Sequence, residues 1–340
     1  MGDPVSFRLT VSEVITETRD ARTLVFDLLP DQRALFAYRP GQFLTLRIPS
    51  DRTGSVARCY SLCSCPHTES QLRVTVKRTP DGYASNWLFD NVKPGTTLEA
   101  LAPAGIFTPR SLDGDLLLLA AGSGITPIMS IIKAALSEGS GTLTLIYANR
   151  DEHSVIFAGE LCALAERHPA RLTVIHWLES VQGLPTTPAL RALVTSFAPT
   201  EALICGPKPF MTAARAALDL PKSHVHLERF VSLGANPFER AVPAAPDDSQ
   251  PSTVDVELDG TRRTLTWPAQ TKLLDLLLDS GLAAPYSCRE GACSACACRL
   301  VSGEVKMLNN EVLDQEDLDE GIILACQSLP VTDHVEIAYE

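Results

Sequence analysis

The sequence has no unbroken apolar run of membrane-spanning length. Its longest apolar stretch, Leu116 to Leu136, is interrupted by Gly122-Ser123-Gly124 and by Thr126-Pro127, which excludes a spanning helix there. Met1-Gly2-Asp3-Pro4-Val5 has neither the basic cluster nor the apolar core of a secretory leader. Positive charge is scarce. Twenty-nine Lys and Arg face 41 Asp and Glu, a formal net charge of −12, and this balance disfavours a nucleic-acid partner. The ten cysteines lack the pairing pattern of a secreted disulfide framework. These absences lead to the expectation of a cytoplasmic chain without a membrane or nucleic-acid partner. No internal repeat is apparent either.

Composition is otherwise ordinary for a chain of two or three domains: 340 residues, 45% hydrophobic and 21% charged. The acidity is uneven. Residues 252–340 hold sixteen acids and six bases, while the rest is nearly balanced. This reads either as a solvated surface or as a face that steers a basic partner.

The most informative stretch is Cys288-Arg289-Glu290-Gly291-Ala292-Cys293-Ser294-Ala295-Cys296, followed thirty residues on by Cys326 in Ile-Leu-Ala-Cys-Gln. C-x4-C-x2-C with a distant fourth thiol is the plant-type spacing for a [2Fe–2S] cluster. Gly291, Ala292, Ser294 and Ala295 are small enough for backbone amides to approach the sulfurs. A zinc site, which favours C-x2-C pairs, and a disulfide framework are the alternatives. Cys298 reads as a small buried core residue.

Upstream, residues 5–108 alternate in short β-branched runs: Phe7–Ile15, Thr23–Leu28, Phe43–Ile48, Leu72–Lys77 and Thr97–Ala100. Turns such as Arg39-Pro40-Gly41-Gln42 separate them, and an antiparallel β-barrel is expected. Within it, Arg58-Cys59-Tyr60-Ser61 offers a phosphate-pairing guanidinium, a flat ring and a hydroxyl. Val76-Lys77-Arg78 precedes Gly82, Ser85, Asn86 and Trp87, which read as a helix N-terminus able to bind a pyrophosphate.

From about residue 110 the pattern becomes that of a doubly wound α/β domain. The buried-strand run Leu116–Ala120 feeds Gly122-Ser123-Gly124-Ile125-Thr126-Pro127 and an apolar helix, Ile128–Leu136. That order presents backbone amides to a dinucleotide phosphate. The next strand ends at Asn149-Arg150-Asp151, where Arg150 could meet a 2′-phosphate or Asp151 a free 2′-hydroxyl. Further on, Ala202–Cys205 runs into Gly206-Pro207-Lys208-Pro209-Phe210 and a helix expected over Thr212–Leu218. Cys205 reads equally as a ligand-side group and as a buried strand-end thiol, while His176 and Trp177 read as core. Residues 234–252 lack periodicity and read as a linker. A hairpin, Val254–Leu258 and Arg262–Trp267 around Asp259-Gly260, then opens the last domain. The expected divisions are 1–109, 110–230, a linker 231–252, and 253–340.

Arg58-x-Tyr60-Ser61, Gly122-x-Gly124-Ile125-Thr126-Pro127, Cys205-Gly206-Pro207 and the four-Cys pattern together resemble the ferredoxin-NADP reductase superfamily. They resemble in particular its members with a C-terminal plant-type ferredoxin domain, and they span almost the whole chain. The resemblance implies FAD on the barrel, with Arg58 at its phosphate, Tyr60 against the ring and Ser61 near N5. It places Cys59, Val76, Lys77, Gly82, Ser85 and Asn86 around the same cofactor. NADH, with NADPH possible, would meet Gly122, Ser123, Gly124, Ile125, Thr126, Pro127, Asn149, Arg150, Cys205, Gly206, Pro207 and Phe210. Glu228 and Phe230 match the family's acid–aromatic pair, so Phe230 would cover the flavin until the nicotinamide displaces it. Cys288, Cys293, Cys296 and Cys326 would ligate the cluster in a β-grasp domain of α+β type. Ser61, Cys205, Glu228 and Phe230 would then tune and position, and no catalytic triad is called for. Longer stretches, among them Tyr147-Ala148-Asn149-Arg150-Asp151 and Leu324-Ala325-Cys326-Gln327-Ser328, resemble members that pass electrons to a Rieske-type oxygenase. A rival of another class, an iron–sulfur sensor or bare electron carrier, would need neither the Gly-turn helix nor the Arg58–Ser61 strand.

Overall fold

The computed structural model describes residues 6–239, 250–258, 260–313 and 315–339. Its first sheet is antiparallel and built from β1 (Phe7–Thr18), β2 (Ala21–Asp27), β3 (Phe43–Ser50), β4 (Gly54–Ser61), β5 (Leu72–Lys77) and β6 (Thr97–Ala100). The strand order is β4-β3-β6-β1-β2-β5, and a bridge from Leu62 to Val74 joins the two edges into a barrel. Alternate residues such as Leu9, Val11, Leu44, Leu46, Leu72 and Val74 fill its interior, as a period of two requires. Helix α1 (Tyr83–Asn91) packs on it through Ala84 and Leu88.

The second sheet is wholly parallel, in the order β11-β10-β7-β8-β9. It comprises β7 (Leu116–Ala121), α2 (Ile125–Glu138), β8 (Leu143–Asn149), α3 (Ala158–Arg167), β9 (Leu172–Leu178), α4 (Glu179–Gln182), α5 (Thr187–Val194), β10 (Glu201–Cys205), α6 (Lys208–Ala217) and β11 (Val225–Glu228). Every residue of β7 is buried. Leu116, Leu118 and Ala120 pack with α2 and α3, while Leu117, Leu119 and Ala121 pack with α5 and α6. Burial on both faces is why this strand reads as a continuous apolar run. Helix α6 starts at Lys208, four residues before the sequence-based boundary, because Pro207 caps it and Pro209 suits a first turn.

The third sheet runs β13-β12-β18-β14-β16, with β12 parallel to β18 and the other pairs antiparallel. Its elements are β12 (Ser252–Leu258), β13 (Thr261–Trp267), α7 (Leu273–Asp279), β14 (Ala297–Ser302), β15 (Val305–Met307), β16 (Ile322–Leu324), β17 (Ser328–Pro330) and β18 (His334–Ala338), with β15 and β17 forming a separate pair. Trp267, Leu273, Leu274 and Leu277 centre its core. Asp259, in the expected hairpin turn, lies outside the described residues.

The expected linker needs a correction at its start. Leu233 and Phe238 are buried against Ala57 and Leu101 of the barrel and Cys288 and Ala292 of the cysteine loop. Residues 231–239 are therefore a docked segment, and their lack of periodicity reflects packing by isolated anchors. Residues 240–249 of that linker lie outside the described residues.

Candidate redox site

The cysteine loop curls because Arg289, Gly291 and Ser294 adopt left-handed backbone, with φ of 58°, 82° and 52°. At Gly291 the requirement is also steric, since a Cβ would stand 2.7 Å from the Asn309 carbonyl oxygen. The curl brings four thiols together. Cys288 reaches Cys293 and Cys326, and Cys326 also reaches Cys296. Backbone N–H groups then point at the sulfurs. Glu290 and Ala292 donate to Cys288 Sγ at 3.4 and 3.3 Å, Cys288 donates to Cys293 Sγ at 3.3 Å, and Cys326 donates to Cys296 Sγ at 3.4 Å. Gln327 Nε2 lies 3.6 Å from Cys326 Sγ. Contacts from Cys293 and Cys326, with these amides, hold the Cys288 thiol far below its ordinary range.

Among the described residues no His, Cys, Asp or Glu group converges on one ion. A two-iron cluster asks for something different: two thiolates per iron and amide donors to sulfur. The four cysteines fit that demand. Cys298 stands apart, 4% exposed in the domain core, with burial raising its thiol.

The loop rests on the barrel. Ser287 Oγ lies 2.6 Å from Thr45 Oγ1 and 3.4 Å from Cys59 Sγ, closing a triangle with the 3.6 Å Thr45–Cys59 contact. Burial pushes the Cys59 thiol up to about 12, so it stays protonated and can donate. Phe43 and Ala104 meet Ala295, with Cys59 and Cys293 packed beside them. Strand β4 thus has two uses. Ala57 and Cys59 face the cysteine loop, while Arg58 and Tyr60 alternate to the other side.

On that side Tyr60 packs against the barrel core, and burial raises its hydroxyl. Ser61 is buried, and Arg58 Nη1 donates to the carbonyls of Ala57 at 2.6 Å and Leu233 at 3.1 Å. Val76 points into the barrel interior, which leaves only its backbone to a ligand. Lys77, Arg78, Asn86, Arg150 and Asp20 line one cleft, whose basic groups suit a phosphate. Asn86 donates to the Gly82 carbonyl and accepts from Arg78, and Ser85 accepts from Thr79 N–H, so these two shape the cleft. Arg150 pairs with Asp20 at 3.1 Å.

At the nucleotide sheet, Gly122 turns with φ of 54° and its carbonyl accepts from the Tyr147 hydroxyl at 2.9 Å. Thr126 Oγ1 donates to the Ser123 carbonyl at 3.0 Å, locking the turn, while Ile125 and Pro127 sink into the core. Gly124 comes so close to β10 that a Cβ would lie 2.1 Å from the Cys205 carbonyl oxygen. Gly206 is wedged between Ala121 and Phe210 in the same way, and Phe210 is an α6 core anchor. Pro207 caps α6. The Asn149 amide is buried at the end of β8, beside the Tyr147 hydroxyl. Cys205 is fully buried beside Glu228, its register neighbour, and burial raises its thiol. Phe230 leaves half its ring exposed.

Residues 8–108 match the oxidoreductase FAD-binding domain, 118–216 the oxidoreductase NAD-binding domain, and 256–331 the 2Fe-2S iron-sulfur cluster binding domain. The chain is 59% identical, over 98% of its length and 96% of the relative's, to a protein of Mycolicibacterium smegmatis named 3-ketosteroid-9-alpha-monooxygenase, ferredoxin reductase component. The chain belongs to this family of ferredoxin reductases. One component of 1,2-phenylacetyl-CoA epoxidase from Escherichia coli is 34% identical to this reductase, covering 98% of the chain and 97% of the relative. Among solved structures, phthalate dioxygenase reductase superposes with a TM-score of 0.59 at 26% identity, covering 98% of each chain. The reductase is an oxidoreductase with FAD, NAD and [2Fe–2S] domains, arranged for electron transfer from pyridine nucleotide to iron–sulfur cluster. No helix of the described residues is long and apolar enough to cross a membrane.

The sequence reading passes over Thr45, Ser287 and Asp20. Ser287 had a signal in its position beside Cys288, whereas Thr45 and Asp20 gain meaning only through contacts between domains. Glu228 yields a pH prediction. Burial pushes its carboxyl up to about 8, with the Arg229 amide partly offsetting the rise. Because the folded value exceeds the free value of 4.5, the neutral form is favoured in the fold. Its contribution to stability is complete below pH 4.5 and is lost as pH rises through about 8. Glu228→Gln is neutral throughout, so its urea midpoint should fall less across that window than the parent's. Equal slopes for the two proteins would remove the assignment.

Proposed function

We propose that this reductase takes electrons from NADH and delivers them to a Rieske-type oxygenase that hydroxylates 3-ketosteroids at the 9α position. The carrying observation is the 59% identity to a relative of that name along essentially the whole chain. When bound, FAD accepts electron pairs from the nicotinamide and the [2Fe–2S] cluster carries them onward singly.

The chain's own residues have distinct tasks in this reading. Arg58, Tyr60, Ser61 and the backbone at Cys59 and Val76 hold the flavin, with Lys77, Gly82, Ser85 and Asn86 at its phosphates. Backbone N–H groups of the 122–126 turn, with no acid in the first turn of α2, hold the coenzyme phosphates. Asn149 takes a ribose hydroxyl, and Gly206 and Pro207 shape the pocket wall. Cys205 and Phe230 flank the nicotinamide, and Glu228 sets the charge there. Cys288, Cys293, Cys296 and Cys326 ligate the irons. The domains divide at residues 109/110 and 252/253, with 231–239 belonging to the interface.

NADH is favoured over NADPH because Arg150 already pairs with Asp20, and Asp151, kept ionised by the Ser154 hydroxyl, would repel a 2′-phosphate. A ratio of specificity constants favouring NADPH overturns this choice. The acidic ferredoxin surface would guide a basic docking patch on the oxygenase. All ten cysteines are free thiols, which suits a reducing compartment, and the cytoplasm is the location this reading assigns.

Reconstitution tests the partner. Purified reductase, NADH and a 3-ketosteroid 9α-hydroxylase oxygenase should hydroxylate androstenedione. Failure there, with turnover by a phenylacetyl-CoA epoxidase or an aromatic-ring hydroxylase instead, assigns the reductase to that oxygenase.

A further inference from the structure

We infer that residues 231–239 form a strap holding the cluster loop on β4, and that the Glu290 carboxylate is its clasp. Glu290 projects from the cysteine loop between Cys288 and Cys293, yet its side chain points away from the sulfurs to the strap. Its carboxylate accepts from Gly234 N–H at 2.9 and 3.1 Å and from Ala235 N–H at 2.7 Å. A carboxylate that accepts two consecutive backbone amides makes strong, charge-assisted hydrogen bonds with a fixed direction. The approach is close, since a Cβ at Gly234 would stand 3.2 Å from Glu290 Oε2.

The strap is tied on both sides of the clasp. Leu233 is buried among Ala57, Leu101, Cys288 and Ala292, and its carbonyl accepts from Arg58 Nη1. Asn236 Nδ2 donates to Ser55 Oγ at 2.8 Å, and Phe238 is buried in the same cluster as Leu233. One short segment therefore grips β4 at Ser55, Ala57 and Arg58, and grips the cysteine loop at Cys288, Glu290 and Ala292. On the loop side, Glu290 is held in place by its own carbonyl, which accepts from Asn309 Nδ2 at 2.7 Å. The Thr45–Ser287 bond alone joins the two bodies at a point, whereas strap and bond together fix rotation as well as distance.

Glu290 is thus a positioning residue for electron transfer between barrel and cluster. Its side chain touches no reacting atom, and the inference rests on the electron relay, not on which oxygenase receives the electrons. The test uses full-length holoenzyme. In Glu290→Ala, amide hydrogen exchange at Gly234 and Ala235 should rise about tenfold or more, the effect of losing a charge-assisted bond on local opening. In anaerobic stopped flow with NADH, the flavin should bleach at the parent rate while the cluster bleaches several-fold more slowly. The cluster's electron paramagnetic resonance spectrum should be unchanged, which separates positioning from damage to the metal site. Glu290→Gln, which keeps an acceptor, should recover part of the protection and part of the rate. If Glu290→Ala loses its cluster, Leu233→Ala loosens the same strap without changing a residue of the loop and should reproduce the split between the two phases. Unchanged exchange at 234–235, or parent-like cluster bleaching in a variant that keeps its iron, overturns the inference.

Discussion

Cys326→Ala should purify with its flavin spectrum intact and without the visible and paramagnetic signatures of an iron–sulfur cluster. Cys326 is 1% exposed and lies against Cys288 and Cys296, so no other buried thiol can reach its place without rebuilding the loop. Binding of a metal group is coupled to folding of the residues around it, and three ligands without the fourth leave one iron open to solvent. Reduction of the flavin by NADH should continue near the parent rate, because nothing in the 122–127 turn has changed. Electron output through the cluster should fall by at least about a hundredfold, beyond the usual cost of altering a supporting residue around a metal. The informative control is Cys298, two residues from Cys296 and buried at 4% exposure in the domain core. Its replacement by Ala should leave the cluster in place. A Cys326→Ala protein with full iron content and a normal signal would mean that the ligand set has been misassigned.

The second large effect belongs to Gly124→Ala. Its backbone has ordinary helical angles, φ −61° and ψ −10°, so strain at this residue is not the issue. The obstacle is the Cys205 carbonyl oxygen, 2.1 Å from where the new methyl would sit. Cys205 is held between β7 and β11 by sheet pairing, so the turn must lift away from β10. Overpacking of this kind costs about 1–3 kcal/mol. A shift of the turn by about an ångström also misplaces the coenzyme, and misalignment on that scale lowers rates by roughly a hundredfold. Flavin reduction by NADH should slow accordingly, with a raised KM for the coenzyme. Gly159→Ala gives the contrast. Gly159 lies in α3 with nothing within 4 Å of an added Cβ, so the change should stabilise the protein slightly and leave turnover alone. Similar losses in both variants would mean that helix effects, and not the approach to Cys205, govern the turn.

Local patterns carry much of this molecule. The cysteine spacing marks the four thiols that converge, and the continuous run Leu116–Ala120 marks a strand buried on both faces. Alternation in the first hundred residues likewise marks a barrel. What stays hidden is whatever arises between segments distant in the chain. The Thr45–Ser287 bond spans 242 residues, Arg150–Asp20 spans 130, and Glu290 to Gly234 spans 56. None has a local pattern, because hydroxyls and carboxylates in loops are ordinary until folding brings their partners. The strap was hidden for a related reason. Two buried anchors within nine residues give no period, so a docked segment and a free spacer look alike. The four short strands β14 to β17 are similarly faint, since three to six residues leave little room for alternation.

Strand β4 sends neighbouring side chains to opposite faces, so the face of Arg58 and Tyr60 and the face of Ala57 and Cys59 that meets the cysteine loop are separated by one backbone thickness. The separation of those two faces is thereby set by covalent geometry. A deletion of one residue upstream of Arg58 would turn the ribbon over, exchanging a thiol and a guanidinium between the two faces. Lengthening the chain between residue 239 and β12 should be tolerated far better than shortening this strand by a single amino acid.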